Sequence, residues 1–163
     1  MRPLQQLITG VLHKNGLLEV FLQLEDFHLR LLNEPYLPLV IERHGDEISV
    51  THWVQENGDW LRDPEVVLSF SKAAEALAPL YTGWVPVSVE VGRSGYPQPT
   101  LNFQDGKLTG FYRKRMTEAY SFCALWARNL REQGFARQYD PADMKSSTPA
   151  VKARLAGLVP QHP

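Results

Sequence analysis

The sequence predicts an α+β domain in which helices pack on an antiparallel sheet. Three features indicate this class: an apolar stripe of helical spacing at the N-terminus, a run of alternating segments joined by short polar turns, and a second apolar stripe beyond residue 115. The expected sheet is a meander of about five or six strands, with an N-terminal helix and a long C-terminal helix packed on it.

The first helix is indicated by apolar side chains that recur at i, i+3, i+4, i+7 and i+8: Leu4, Leu7, Ile8, Val11 and Leu12. Pro3 suits its first turn and Asn15-Gly16 suits its C-terminal stop. The residues that follow predict a second short helix, which gives way to a strand near Asp26.

Alternation of apolar and polar residues predicts the strands. The segments that alternate are FHLRLL, LPLVIER, ISVTHWV, EVVLSF and WVPVSVEV. Asp105-Gly106 predicts a further hairpin within PTLNFQDGKLTGFY, while SKAAEALAPLYTG has weak helical character.

The long helix near the C-terminus is indicated by one continuous apolar stripe: Met116, Ala119, Tyr120, Cys123, Trp126, Ala127 and Leu130. Gly134 supplies its stop. Beyond Phe135 the periodicity is lost and Pro, Ser and Ala accumulate. We therefore expect a single domain over residues 1–135 and a loosely ordered tail over residues 136–163.

Composition restricts the class of protein. A chain of 163 residues with 44% hydrophobic and 21% charged residues is typical of one ordinary globular domain. It has no secretory leader pattern and no apolar run close to the roughly 20 residues of a membrane span. The single cysteine, Cys123, excludes an internal disulfide and favours a reducing compartment. A cytoplasmic protein without membrane contact is the expectation.

The net charge of −1 hides a marked asymmetry along the chain. Residues 18–70 hold eleven acids against three bases, whereas residues 105–137 hold seven bases against three acids. Such a distribution suits a basic patch that meets an anionic partner. Alternatively, the two regions neutralise each other within the fold or across a homodimer.

The stretch HWVQENGDWLRDPE, residues 52–65, allows two interpretations. In the structural one, His52 lies on an apolar strand face, Asn57-Gly58 forms a turn and Asp63-Pro64 starts the next strand after a polar loop. In the functional one, His52 acts as a base or ligand together with Asp59 or Asp63. A metal site normally shows paired ligands on two elements, and only one histidine is present here. The structural interpretation is therefore favoured, and neither a metal nor a cofactor is expected.

The basic segment FYRKRM is the better candidate for a binding surface. Interleaved cations and aromatic rings suit phosphate contacts and base stacking on single-stranded nucleic acid. The residues assigned to this surface are Arg93, Tyr96, Lys107, Tyr112, Arg113, Lys114, Arg115, Arg128 and Arg131. The alternative is a solvated helix entrance with long side chains lying along the surface.

Two stretches carry a resemblance to a known family. PLVIERHGDEISVTHWVQENGDWLRDPEVVL and SFCALWARNLREQGF are similar to the central block and closing helix of an uncharacterised family of small bacterial proteins often carried on plasmids, integrated elements and phages. The resemblance covers roughly residues 27–135, with the N-terminal helix and the tail outside it. The matching residues are Glu42, His52, Asn57, Gly58, Asp59, Asp63, Pro64, Trp126, Asn129 and Gly134. Residues 71–110 match loosely, and Trp53 stands where the family more often has Tyr or Phe.

The resemblance implies a small soluble domain linked to mobile elements and transfers no catalytic role. We therefore expect an accessory or binding domain, not an enzyme, that engages nucleic acid or an acidic protein through the basic aromatic surface. The alternatives are a metal-dependent hydrolase that uses His52, Asp59 and Asp63, and a structural homodimer.

Overall fold

The computed structural model describes residues 2–70, 83–92 and 97–158. Two helices come first, α1 (Pro3–Lys14) and α2 (Leu18–Gln23). The strands that follow are β1 (Asp26–Leu31), β2 (Leu39–His44), β3 (Glu47–Glu56), β4 (Asp59–Ser69), β5 (Val85–Glu90), β6 (Gln98–Pro99), β7 (Leu101–Gln104) and β8 (Lys107–Phe111). The last elements are α3 (Arg113–Glu132), a 3-10 turn at Pro141–Asp143, β9 (Met144–Lys145) and α4 (Pro149–Leu158).

The main sheet is antiparallel and has seven strands among the described residues, in the order β6-β5-β4-β3-β2-β1-β9. Strands β1 to β6 are neighbours in chain order, which is the predicted meander, and β7 and β8 form a separate hairpin. The predicted α+β class is confirmed. The sheet gains a further strand because β9 returns to the edge of β1, where Arg30 faces Lys145 and Leu31 faces Met144.

Alternation along the strands gives the sheet two different faces. On the inner face Leu29, Ile41, Val50 and Val66 lie side by side and are buried. The predicted apolar stripes of α1 and α3 are buried in the same structure, and most of their side chains belong to the core cluster of this inner face. Burying each large apolar side chain is worth about 1.5–3 kcal/mol, so this layer supplies most of the driving force for folding.

The stretch from residue 52 to 65 is not a polar loop. Strands β3 and β4 pair up to Glu56 and Asp59, and only Asn57 and Gly58 form the turn. Both turn residues have positive φ, 51° and 85°, which matches the two-residue turns that follow the natural twist of a hairpin. The predicted loop was wrong because an Asn-Gly turn needs no further polar residues to reverse the chain.

Residues 136–158, predicted to be a loosely ordered tail, carry regular structure. Tyr139, Met144, Val151 and Leu155 are buried against the domain. Only Val151 and Leu155 have helical spacing, and two positions are too few to stand out as an apolar stripe. The domain boundary predicted at residue 135 stays a prediction, and residues 159–163 lie outside the described residues.

Two further predictions cannot be compared with the fold, because residues 71–82 and 93–96 lie outside the described residues. The first is the weak helix in SKAAEALAPLYTG, and the second concerns Arg93 and Tyr96 of the predicted basic surface. Among the helices that are described, none is long and apolar enough to cross a membrane.

Candidate functional site

The outer face of the sheet carries an open groove. Since Leu29 and Leu31 point into the core, the intervening residues of β1 point outward. The groove has a volume of about 480 Å³ and is lined by His28, Arg30, Val40, Trp53, Trp60, Lys145, Ser146 and Ser147. We call this site the tryptophan groove. Its lining combines an apolar floor with two permanent cations and contains no acid.

Two tryptophans form one end of the tryptophan groove. Trp53 of β3 pairs with Arg62 of β4, which places Trp60 diagonally from Trp53 on the same face. Their ring centroids are 6.4 Å apart with an interplanar angle of 80°. Trp60 is 51% exposed, so much of its ring is available to a ligand.

A guanidinium group lies against each indole. The Cζ atom of Arg30 is 5.7 Å from the Trp60 centroid, and that of Arg62 is 4.9 Å from the Trp53 centroid. Arg62 is also paired, because its Nη1 lies 2.8 Å from Oε1 of Glu65. Arg62 is therefore neutralised locally and stiffens the Trp53 side of the groove.

The two cations that line the tryptophan groove are not paired in this way. Arg30 and Lys145 occupy directly opposite positions on β1 and β9, and within the described residues neither forms an ion pair. The Nε atom of Arg30 is buried and has no hydrogen-bond partner in the described part of the chain. A buried donor left without a partner costs about 1–3 kcal/mol.

His28 is held as a neutral ring at the edge of the groove. Its Nδ1 accepts a hydrogen bond from the backbone N–H of Ser147 at 3.1 Å, and the Ser146 hydroxyl donates to the His28 carbonyl oxygen. Burial lowers the pKa of His28, and the nearby Glu42 charge opposes this effect only in part. The neutral ring then carries its proton on Nε2, which gives the site a further donor.

A polar network borders the tryptophan groove towards the start of β1. His44 Nε2 lies 3.0 Å from Oε2 of Glu42, and its Nδ1 lies 3.3 Å from Oδ1 of Asp26. The hydrogen bond with Glu42 is the main reason why the pKa of His44 is raised. The Ser49 hydroxyl donates to Glu65 at 2.7 Å, so most polar groups of this network have partners.

His52 lies on the opposite, inner face of the sheet. Its ring centroid is 5.6 Å from the rings of both Trp126 and Phe135, and its Nδ1 donates to the carbonyl oxygen of Pro38 at 3.1 Å. Burial lowers the pKa of His52, outweighing the hydrogen bonds that act in the other direction. This is the environment of a core histidine.

Of the two carboxylates grouped with His52 in the sequence, Asp63 is near enough for its charge to act on the ring, but it is the smallest of the influences on the pKa of His52. Asp59 is exposed beside the hairpin turn, opposite Glu56, and Glu56 lies four residues from His52, or about 13 Å along a strand. Asp63 accepts a hydrogen bond from the Gly92 N–H at 2.9 Å. In the described ranges no group of three or more His, Cys, Asp or Glu residues is arranged to hold a metal ion.

The predicted basic surface is spread along α3. Arg113, Lys114 and Arg115 form its first turn, and the Arg115 guanidinium lies 4.4 Å from the Tyr112 ring centroid. Arg128 and Arg131 lie about 23 and 27 Å farther along the helix axis. Lys107 belongs to the β7–β8 hairpin. The structure thus brings Tyr112 and Arg115 together and distributes the other cations.

The tryptophan groove and α3 lie on opposite faces of the sheet. Trp126 of α3 contacts His52, which points inward, whereas Trp53, the next residue, points outward. Cys123 is also buried on the inner side, and burial raises the pKa of its thiol to about 12. A thiol in that state is a poor nucleophile at neutral pH.

Sequence reasoning missed the tryptophan groove because its residues come from five separate parts of the chain. The alternation in FHLRLL is a usable signal, since it turns His28 and Arg30 away from the core. Trp53 and Trp60 are equally visible as aromatic residues on either side of a strong turn. Lys145 carries no such signal, because only the pairing of β9 with β1 brings it to Arg30.

Residues 6–136 match the model of a family described as Domain of unknown function (DUF6908). The match includes most of α1, so the expectation that the N-terminal helix lies outside the family is wrong. No curated protein and no solved structure matches the chain. Since the family match spans most of the 163 residues, the chain belongs to the DUF6908 family of domains of unknown function.

Proposed function

We propose that this chain is a non-enzymatic binding domain that takes single-stranded nucleic acid into the tryptophan groove. One observation carries the proposal: Arg30 and Lys145, which form no ion pair with any described residue, stand beside a half-exposed tryptophan on an open sheet face. A ligand that combines flat rings with negative charge satisfies both features. Single-stranded nucleic acid has this combination in every repeat unit.

The chemistry of each part of the groove supports this ligand. Stacking of a base on an aromatic side chain is worth about 1–3 kcal/mol and does not depend on sequence. The Arg30 guanidinium lines the groove and lies against Trp60, so its charge attracts a phosphate oxygen bound there. Lys145 adds a second positive charge directly across the strand pair.

The first turn of α3 is a second candidate surface for the same ligand. Arg113 and Lys114 are exposed there, and the turn contains no acid. Three cations at a helix N-terminus are unfavourable for the helix dipole, which supports a use other than folding. The hydrolase alternative has less support, because His52 points into the core and Asp59 lies at the hairpin turn.

The proposal also includes a setting. We infer a cytoplasmic protein from bacteria or their mobile elements, a view supported by the lone unpaired cysteine and by the sequence resemblance described above.

A homodimer held by its acidic and basic regions would dissociate at high salt. Light scattering at about 50 and 500 mM salt tests that alternative, since charge pairing is screened over this range.

Fluorescence anisotropy with a labelled single strand of about twelve nucleotides tests the proposed function. Trp60→Ala is expected to weaken binding about five- to hundredfold, the equivalent of one lost stacking contact. Trp60→Phe keeps a stacking ring and is expected to retain most of the affinity. Leu125→Ala is the matched control, because it truncates an exposed apolar side chain on α3, on the opposite side of the sheet.

Unchanged affinity in Trp60→Ala would refute the tryptophan groove as the site. If the double variant Arg113→Glu, Arg115→Glu then lost binding, the α3 surface would be the site instead. If neither DNA nor RNA strands bound at about 50 mM salt, the nucleic-acid function itself would be refuted, because phosphate contacts are strongest at low salt. An acidic peptide that binds in their place would identify a protein partner.

A further inference from the structure

The surroundings of the tryptophan groove are strongly acidic. Residues 18–70, which supply most of its lining, hold eleven acids and three bases. Of these bases, Arg43 is buried on the inner side and donates to the carbonyl oxygens of Phe21 and Leu22. Arg62 is paired with Glu65. Arg30 is therefore the one base of this segment that is left to meet a ligand.

Acids lie beyond the groove on its own face, towards the start of β1. Asp26 precedes His28 on the same face of β1, Glu42 lies opposite His28 on β2, and Glu47 is exposed opposite His44. A polyanion that extended from the groove in this direction would pass these carboxylates. Like charges at such distances repel, whereas Arg30 and Lys145 attract a phosphate between them.

The volume of the site agrees with a short ligand. About 480 Å³ falls in the lower half of the range for sites that enclose one small molecule. The distance between the cations and the stacking ring is also short, since the Arg30 guanidinium itself lies against Trp60. A base and its own phosphate can therefore reach both.

We infer that the tryptophan groove holds one nucleotide of a single strand, with its base against Trp60 and its phosphate between Arg30 and Lys145. The volume of the groove suits one nucleotide, and the acids towards the start of β1 repel further phosphates on that side. This inference rests on the proposed function, and it narrows the ligand from a strand to a single nucleotide unit. Affinity is then set by one nucleotide and depends little on strand length.

Length and salt dependence together test the inference. Quenching of tryptophan fluorescence is measured with adenosine 5′-monophosphate and with an oligoadenylate of about twelve nucleotides, at about 50 and 200 mM salt. One or two phosphate contacts give the strand a slope of roughly −0.7 to −1.4 in log K against log salt, so its affinity falls about threefold to sevenfold over this range. The association constant of the strand is expected to exceed that of the monophosphate only by a factor equal to the number of nucleotides in the strand.

A charge reversal sharpens the test. Glu47→Lys is expected to strengthen strand binding and to steepen its salt slope by about −0.7, the value for one more phosphate contact, without affecting the monophosphate. Glu132→Lys makes the same charge change on α3 and serves as the control, since its position lies on the other side of the sheet.

The outcomes separate the two proposals. One outcome would overturn the single-nucleotide inference and leave the proposed function standing. In that outcome the strand binds far more tightly than its number of nucleotides explains, its salt slope is near −3, and Trp60→Ala weakens its binding. Loss of the strand's binding together with that of the monophosphate would overturn both. Binding of the monophosphate at the groove without any binding of strands would refute the strand as the occupant.

Discussion

Replacement of His52 by alanine distinguishes a core histidine from a catalytic one. The side chain is only 9% exposed and its ring lies between those of Trp126 and Phe135. Removing a ring from a packed core typically costs about 3–5 kcal/mol for the larger aromatic residues, and about 2–3 kcal/mol is a fair value for the smaller imidazole. The Pro38 carbonyl also loses its donor, which adds about 1 kcal/mol.

The free energy of unfolding of the variant is therefore expected to fall by about 3–4 kcal/mol, a large share of the 5–15 kcal/mol of a typical domain. Urea unfolding at about pH 8, where the wild-type ring is neutral, measures this difference. Asp59→Asn is the matched control, because the side chain is exposed at the hairpin turn and its change should stay within about 0.5 kcal/mol.

The pH dependence of the same pair gives an independent check. Burial lowers the pKa of His52, so below about pH 6.5 the unfolded chain binds a proton before the folded one does. The free energy of unfolding of the wild type must then decrease as the pH is lowered below about 6.5. The difference in this free energy between the wild type and His52→Ala should therefore become smaller. A loss under about 1 kcal/mol, combined with a divalent-metal effect on Tm that the variant lacks, would refute the core assignment and support the hydrolase alternative.

Three other substitutions test the remaining structure. Asn15→Ala removes three hydrogen bonds that tie the end of α1 to backbone atoms, so the free energy of unfolding measured in urea should fall by about 2–4 kcal/mol. A fall of less than about 1 kcal/mol would contradict these contacts. His44→Gln should destabilise the protein more at about pH 5.5 than at pH 8.5. The hydrogen bond with Glu42 raises the pKa of His44, so the stabilising effect of the ring is complete below about pH 6.5 and is lost as the pH rises through the pKa of the folded protein. Equal shifts in Tm at both pH values would refute this prediction. Val151→Ala should cost about 1–2 kcal/mol in the same unfolding assay, whereas no change would show that α4 is not packed on the domain.

Helices α1 and α3 illustrate what the sequence is able to predict. Each has a continuous apolar stripe over at least two turns, and burial of that stripe is the main force that holds it. The strands of the meander follow the period of two for the same reason. Where one regular element buries one regular face, the pattern in the chain reflects the packing directly.

The hairpin of β3 and β4 shows where this reasoning stops. Residues 55–60 are polar or exposed because the tip of the hairpin extends into solvent, and a polar strand has the composition of a loop. Strand β9 is only two residues long, and it pairs with β1 from more than a hundred residues away. No local pattern records such pairing, so the Lys145 side of the tryptophan groove was beyond prediction.

Three features of the tryptophan groove are unfavourable for folding, and they occur together. Trp60 leaves half of a large apolar side chain in water, the buried Arg30 Nε has no partner among the described residues, and Arg30 faces Lys145 across a strand pair. Like charges in opposite positions destabilise a sheet by about 0.2–1 kcal/mol. Local rules are broken in this way mainly at functional sites, where ligand binding offsets the cost.

Lys145→Glu therefore should separate stability from binding. The variant replaces a repulsive cross-strand pair with an attractive one, so its free energy of unfolding should rise by about 0.5–1 kcal/mol while nucleotide binding at the groove is lost. Lys152→Glu makes the same change on the exposed side of α4, away from the groove lining, and should alter neither property by a comparable amount. If Lys145→Glu destabilised the protein and left binding unchanged, Lys145 would stabilise the fold. Its position opposite Arg30 would then not mark a binding site.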